Sequence, residues 1–116
     1  MLRTRLRWRR EARRFPVTGG NAFALLAGGP AFYRALRTAM AGARREILLQ
    51  SYVWANDRTG RAFLDAAAAA ARRGVAVRVI LDGVGGYGIR HEAQRRLRAA
   101  GGDAGIYNPV RLPPAH

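Results

Sequence analysis

Two short apolar runs with a helical stripe between them constrain this chain more than any other feature. Glu46-Ile-Leu-Leu-Gln-Ser-Tyr-Val-Trp54 and Val75-Ala-Val-Arg-Val-Ile-Leu81 are rich in β-branched and aromatic residues, the composition of strands. The residues between them place Phe63, Ala66, Ala67 and Ala70 on one helical face. Asn56-Asp57 offers a cap at the start of that helix, and Arg72-Arg73-Gly74 closes it, as capping and the helix dipole favour. Strands joined through a helix run parallel, with a right-handed crossover.

The alternation extends in both directions. Ala22-Phe-Ala-Leu-Leu-Ala27, ending at Gly28-Gly29-Pro30, predicts an earlier strand, and Phe32, Leu36, Met40 and Ala43 then recur as a helical stripe. Beyond Leu81 comes a loop, Asp82-Gly-Val-Gly-Gly-Tyr-Gly88, then a helix over 89–100 with Ala93, Leu97 and Ala100 inward. Gly101-Gly102 stops that helix, and Ala104-Gly-Ile-Tyr107 reads as a last strand before Asn108-Pro109. The fold class is therefore α/β, in the order β-α-β-α-β-α-β, a largely parallel sheet with helices packed on its faces. The nearly continuous apolar character of 46–54 predicts a strand buried on both faces. Sites in such sheets lie beyond the carboxyl ends of the strands, here near Tyr52 to Asn56, Asp82 to Gly88 and Asn108 onward.

With 116 residues, the chain is the size of one domain. All 21 basic residues are arginine, so no Walker A loop, Schiff base or lysine-assisted mechanism is available. The absence of cysteine removes disulfides, thiol catalysis and zinc ribbons, and two histidines with seven carboxylates are thin material for a metal site. Cofactors are expected to be none. The longest apolar run, Ala66 to Ala71, falls far short of the roughly 18 residues of a membrane span, and the basic start lacks the apolar stretch of a signal peptide. A soluble or peripheral protein is expected, cytoplasmic or at the inner membrane face.

Charge divides the chain into an arginine-rich arm, 1–18, and a domain, 19–116. Residues 1–14 hold seven arginines and Glu11, a net of +6, against +8 for the remainder. Arg3, Arg5, Arg7, Arg9, Arg10, Arg13 and Arg14 suit contact with anionic lipid or nucleic-acid phosphates; the plainer reading is a solvated lead-in in an arginine-rich sequence. Within the domain, Gly83, Gly85 and Gly88 satisfy G-x-G-x-x-G between strand and helix, a pattern that in some folds cradles a pyrophosphate. The acidic residue such a site wants on the next strand is replaced by Tyr107-Asn108-Pro109, which favours glycines serving a tight turn. Asp82 at a strand end reads as a ligand-orienting carboxylate or a loop anchor. Tyr52 and Trp54 line a pocket or fill core, His91 lies on a polar helix surface, and terminal His116 is not positioned for catalysis.

Taken together these segments resemble the opening of the phospholipase D superfamily, in its bacterial cardiolipin synthase branch. The likeness is carried by Gly20-Asn21 leading to Leu25-Leu26, Phe32-Tyr-Arg-Ala-Leu36, Ala43-Arg-Arg-Glu-Ile-Leu-Leu-Gln-Ser-Tyr-Val-Trp54, and Asp57 with Gly60-Arg-Ala-Phe-Leu64. It continues through Ala70-Ala-Arg-Arg-Gly-Val-Ala-Val-Arg-Val79, Leu81-Asp-Gly-Val-Gly85, and Leu97-Arg-Ala-Ala-Gly101 before Tyr107-Asn108-Pro109, covering about residues 19–112. The resemblance implies a phosphatidyltransferase of phospholipid biosynthesis built from two similar halves, each supplying an H-x-K-x-x-x-x-D motif to a shared site. One histidine attacks the phosphodiester, the other protonates the leaving alcohol, and the lysines hold the phosphate oxygens.

A chain without lysine carries neither motif, so no catalytic residue transfers, and Gln50 stands where relatives often have glutamate. The expectation is an N-terminal fragment, an incomplete phospholipase D-like domain, inactive alone. An unpaired sheet edge and uncovered apolar faces would make it self-associating, and its natural partner would be the missing catalytic half. Tyr52, Trp54, Asp82, Gly83 and Gly85 are the expected pocket lining. A stand-alone module for anionic lipid or nucleic acid, and a nucleotide-binding α/β protein, are the alternatives.

Overall fold

A computed structural model describes residues 15–111. Its elements are α1 (Gly29–Gly42), β1 (Glu46–Ser51), α2 (Arg58–Arg72), β2 (Ala76–Asp82), α3 (Arg90–Ala100) and β3 (Asp103–Tyr107). The three strands form one sheet in the order β1-β2-β3. Both pairings are parallel, with Ile47 opposite Val77, Leu49 opposite Val79, and Val79 opposite Ala104. The predicted α/β class and parallel crossovers are therefore present. The expected strand at Ala22–Ala27 is not: those residues are irregular and exposed. Half of that run is alanine, which carries little strand preference, and a strand exists only where a neighbour completes its ladder.

A second expectation is also corrected. β1 is not buried on both faces; its burial alternates residue by residue, as does that of β2. Ile47, Leu49, Val77, Val79, Leu81, Ala104 and Ile106 face the helices, whereas Leu48, Ile80 and Tyr107 lie on an open face. Sheet order explains this. Two crossovers of one hand, each stepping a single strand in the same direction, put α2 and α3 on the same side. α1 joins that layer by packing on α2.

α2 is the central element. Phe63, Leu64, Ala67, Ala68, Ala70 and Ala71 are all buried, a broader stripe than the predicted one, because α2 meets β2 below and both neighbouring helices at its sides. Alanine suits that position, since it lets three elements approach one helix closely. Met40, Leu81, Ile89, Ala93 and Leu97 complete the core. Across the α2–α3 seam, Arg61 forms a forked pair with Glu92 at 3.2 Å through both nitrogens and Arg96 pairs with Asp65, while within α3 Arg96 also lies 3.9 Å from Glu92.

Caps fix the helix ends. Asp57 accepts a 2.8 Å hydrogen bond at Oδ1 from the Gly60 backbone N–H, as expected of a cap for α2. Asp57→Ala is expected to cost about 1 kcal/mol, read as a lower denaturant midpoint with an unchanged m-value. At the other end, the Arg73 guanidinium donates to the carbonyls of Met40, Ala41 and Ala43 at 3.2–3.4 Å. One arginine after α2 thus adds a donor to carbonyls at the end of α1, where intrahelical partners run out. Gly101, at φ 97°, takes the left-handed position that ends α3.

Candidate functional site at the strand ends

The three strands deliver three loops to one end of the sheet, where they interlock through their backbones. Trp54 N–H donates to the Gly85 carbonyl at 3.0 Å, and Gly83 N–H donates to the Tyr107 carbonyl at 2.7 Å. Asn56 Nδ2 donates to the Gly88 carbonyl at 3.1 Å. This close approach is what the glycines permit. A Cβ on Gly83 would stand 2.1 Å from the Asn108 carbonyl oxygen, and one on Gly85 would stand 1.8 Å from that of Tyr52.

Asp82 anchors the middle loop. Its Oδ2 accepts from the backbone N–H groups of Val84 at 2.9 Å and Gly85 at 3.0 Å, the hydrogen-bond pattern of an Asx turn. Gly86 N–H donates to the Asp82 carbonyl and Tyr87 N–H to that of Val84. Each N–H from Gly83 to Tyr87 is thus bonded within the protein, so the G-x-G-x-x-G stretch directs none of these donors at a phosphate. Arg90 locks the loop from α3, donating through Nη1 to the Gly83 carbonyl at 3.1 Å and stacking over the Tyr87 ring at 4.3 Å.

Two concavities flank this cluster. On the open sheet face, a groove of about 480 Å³ is lined by Gln50, Ser51, Tyr52, Ile80, Asp82, Tyr107 and Asn108. On the helical side, a cleft of about 310 Å³ lies between α1, α2 and the end of β1; its walls include Phe32, Tyr33, Leu36, Leu49, Trp54 and Phe63. The five expected lining residues therefore part company. Tyr52, 71% exposed, and Asp82 reach the groove, whereas Trp54 is only 6% exposed and belongs to the other cleft, donating from Nε1 to the Gly60 carbonyl at 2.9 Å. Gly83 and Gly85 act as spacers between loops.

Asn108 completes the groove where the strand-end rule placed the site, and Gln50, Ser51, Ile80 and Tyr107 join it without having been singled out as pocket residues. Strand register is the signal that finds them: Asp82 is level with Tyr107, and Gln50 with Ile80. Asn108 turns the chain at φ 47°, a conformation asparagine tolerates better than most residues.

Chemically, the groove offers phenols, amides, a hydroxyl and one carboxylate, suited to hydrogen bonding along a polar ligand. Among the described residues it is lined by no imidazole or cationic side chain. His91 is exposed on α3, as expected, and accepts at Nε2 from Arg90 Nε at 3.3 Å. His116 and the candidate arginines of the arm, Arg3 to Arg14, lie outside the described residues. Remote from the groove, the environment of Asp103 favours its charged form. A hydrogen bond from Arg98 Nε at 2.9 Å, helped by the Ala104 backbone, holds the Asp103 carboxyl below its ordinary value. Its small stabilising contribution is present above the unfolded pKa and is lost as pH falls through the folded one.

A parallel sheet with helices on one face and a loop cluster beyond its carboxyl ends defines an α/β module with a strand-end site. The chain belongs to the phospholipase D-like domain family of cardiolipin synthases, whose pattern matches residues 36–114. It is 37% identical over 90 residues to cardiolipin synthase B of Shigella flexneri and to that of Escherichia coli K12. It is 31% identical over 97 residues to the major cardiolipin synthase ClsA of Bacillus subtilis. These alignments take in 78% and 84% of this chain but only 22% and 20% of the respective relatives. The chain therefore spans about a fifth of the length of the curated relatives it matches. No solved structure matches it significantly. No helix among the described residues is long and apolar enough to cross a membrane.

Proposed function

We propose that this chain is the opening segment of a cardiolipin synthase-like phosphatidyltransferase, supplying sheet, strand-end loops and one groove wall, and that it is inactive alone. The reacting groups then come from sequence outside these 116 residues. The observation that carries this reading is the pairing of a family-typical sheet with a strand-end groove that, among the described residues, lacks histidine, lysine and arginine. Attack on a phosphodiester needs an activated nucleophile and charge stabilisation of the phosphate, and Tyr52, Asp82 and Asn108 provide neither. The natural partners in this reading are the catalytic remainder of the protein and an anionic phospholipid surface at the inner membrane face.

The test is transfer from phosphatidylglycerol vesicles, followed by mass spectrometry of the lipids. The purified chain is expected to form no cardiolipin and release no glycerol above the protein-free control; turnover by these residues alone would overturn the reading.

The net charge of +14 favours a second activity, binding to an anionic surface. Vesicle co-sedimentation should fall steeply as salt rises, because exposed charges are screened within about 8–10 Å at 0.1–0.15 M. Deleting residues 1–14, which removes a net +6, is expected to abolish most of it. Retention of salt-sensitive binding by the deleted chain would assign it to the domain instead.

A further inference from the structure

The strand-end groove carries a carboxylate and, among the described residues, no arginine, in a chain that holds 21 of them. Asp65, Glu92 and Asp103 each take an arginine partner, whereas Asp82 takes none among the described residues. Its Oδ2 is occupied by the backbone N–H groups of Val84 and Gly85, and its Oδ1 has no hydrogen-bond partner among the described residues.

Strand register builds a site around that oxygen. Tyr52 follows Ser51, which pairs with Leu81, and so stands level with Asp82, which in turn pairs with Tyr107. The open face therefore presents a carboxylate between two tyrosines, 71% and 65% exposed, and all three line the same groove. Neighbouring strands lie about 4.8 Å apart, so a cation centred above Asp82 would lie about 5 Å from either ring, within the roughly 6 Å reach of a cation–π contact. In the next row, Gln50, Ile80 and Gly105, the β3 side is low, because nothing lies within 4 Å of a Cβ added to Gly105. Gln50, Ser51 and Asn108 add neutral acceptors at the rim. Ser51 Oγ donates to the Val53 carbonyl, which leaves its lone pairs free to accept.

We infer that this groove binds a primary alkylammonium ion, seated between Tyr52 and Tyr107 and donating an N–H to Asp82 Oδ1. The choice among cations follows from the acceptors. A guanidinium pairs best as a fork on two carboxylate oxygens, and Asp82 offers one, so an arginine of the arm or of a second copy is a poor match. A quaternary ammonium has no N–H for Oδ1, Gln50 or Asn108 and depends on the rings alone. A primary ammonium is a compact charge with three donors, and the groove sets one charged and several neutral acceptors beside its two rings. Carboxylate, rings and amides all come from the three strands and their ends, so the site forms within this chain and needs no residue from the remainder of the protein. The inference is independent of the catalytic reading. Free small amines and aminophospholipid head groups both carry the recognised group.

The test titrates ethylammonium chloride into the full isotope-labelled chain and follows backbone amide shifts. Salt is held at about 0.15 M, where exposed charges are screened beyond about 8 Å. Saturable shifts are expected at Tyr52, Asp82 and Tyr107, with ethanol giving none. Asp82→Asn keeps an oxygen for the Val84 and Gly85 N–H groups but removes the charge, and should weaken binding at least about tenfold. Tyr52→Leu and Tyr107→Leu, exposed and outside the core, should each weaken it about two- to fivefold with unchanged circular dichroism. Tetramethylammonium and guanidinium should bind more weakly than ethylammonium. Sedimentation with uncharged phosphatidylcholine vesicles, with and without phosphatidylethanolamine, separates the sources. Sedimentation that needs phosphatidylethanolamine and is competed by ethylammonium assigns a lipid head group, and free-ion binding without it assigns a soluble amine; both uphold the site. Absence of saturable shifts, binding unaffected by Asp82→Asn, or guanidinium or tetramethylammonium binding as tightly as ethylammonium would each overturn the proposal.

Discussion

Replacing Gly85 with alanine is expected to lower the melting temperature by on the order of 15 °C, the equivalent of about 3–5 kcal/mol for a domain of this size. The added Cβ would sit 1.8 Å from the Tyr52 carbonyl oxygen, and the obstacle is backbone, which has no rotamer to escape into. Relief requires the loops after β1 and β2 to separate, which breaks the Trp54 N–H to Gly85 carbonyl hydrogen bond and disturbs the Asp82 turn that holds Gly85 N–H. Backbone conformation is not the issue, because Gly85 is not among the glycines with positive φ. Gly105→Ala provides the control: it sits in β3 with nothing within 4 Å of its would-be Cβ, and it should be neutral within about 0.5 kcal/mol. Thermal unfolding of both variants checks the claim, and equal melting temperatures would show that the strand-end loops yield freely.

The contrast between those glycines shows what the sequence could and could not reveal. Periodicity was enough for α2, β2, α3 and β3, because a helical stripe such as Ala93 and Leu97, or a cap such as Asp57, is a local property of the chain. Partnership is not local. The run Ala22–Ala27 looks like a strand within its own six residues, but whether a ladder forms depends on an edge elsewhere. Likewise the apolar continuity of Glu46–Trp54 records preference for burial, and only the order of strands in the sheet decided that one face would be left open.

The site was legible to the same degree. The turn role of the glycine loop and the anchoring role of Asp82 followed from residue type and position. That Gly83 faces Asn108, and Gly85 faces Tyr52, required the packed structure. Arg73 was legible only as a charge closing α2; its partners at the end of α1 lie 30 to 33 positions away and gave no signal. Trp54 was balanced between pocket and core, and its indole N–H decided the matter by finding the Gly60 carbonyl.

That hydrogen bond makes Trp54 the other position of large expected effect. Trp54→Ala should destabilise the fold by about 3–5 kcal/mol, the usual range for deleting a large buried aromatic. Trp54→Phe should cost about 1–3 kcal/mol, because it keeps most of the apolar volume but removes the donor to a buried carbonyl. The effect should spread beyond the side chain. Trp54 touches α2 through Gly60, whose own Cβ would meet the Ala55 carbonyl at 1.9 Å, and it holds the strand-end loops through its backbone bond to Gly85. Loss of the indole therefore frees the first turn of α2 and the loop after β2 together, and hydrogen exchange should quicken in both while β3 stays protected. The two sites share that link, so Trp54→Phe combined with Gly85→Ala should destabilise by less than the sum of the single changes, a coupling of about 0.5 kcal/mol or more. Strict additivity in denaturant unfolding would mean that the α2 cap and the loop cluster are held separately, and that Trp54 acts only by filling space.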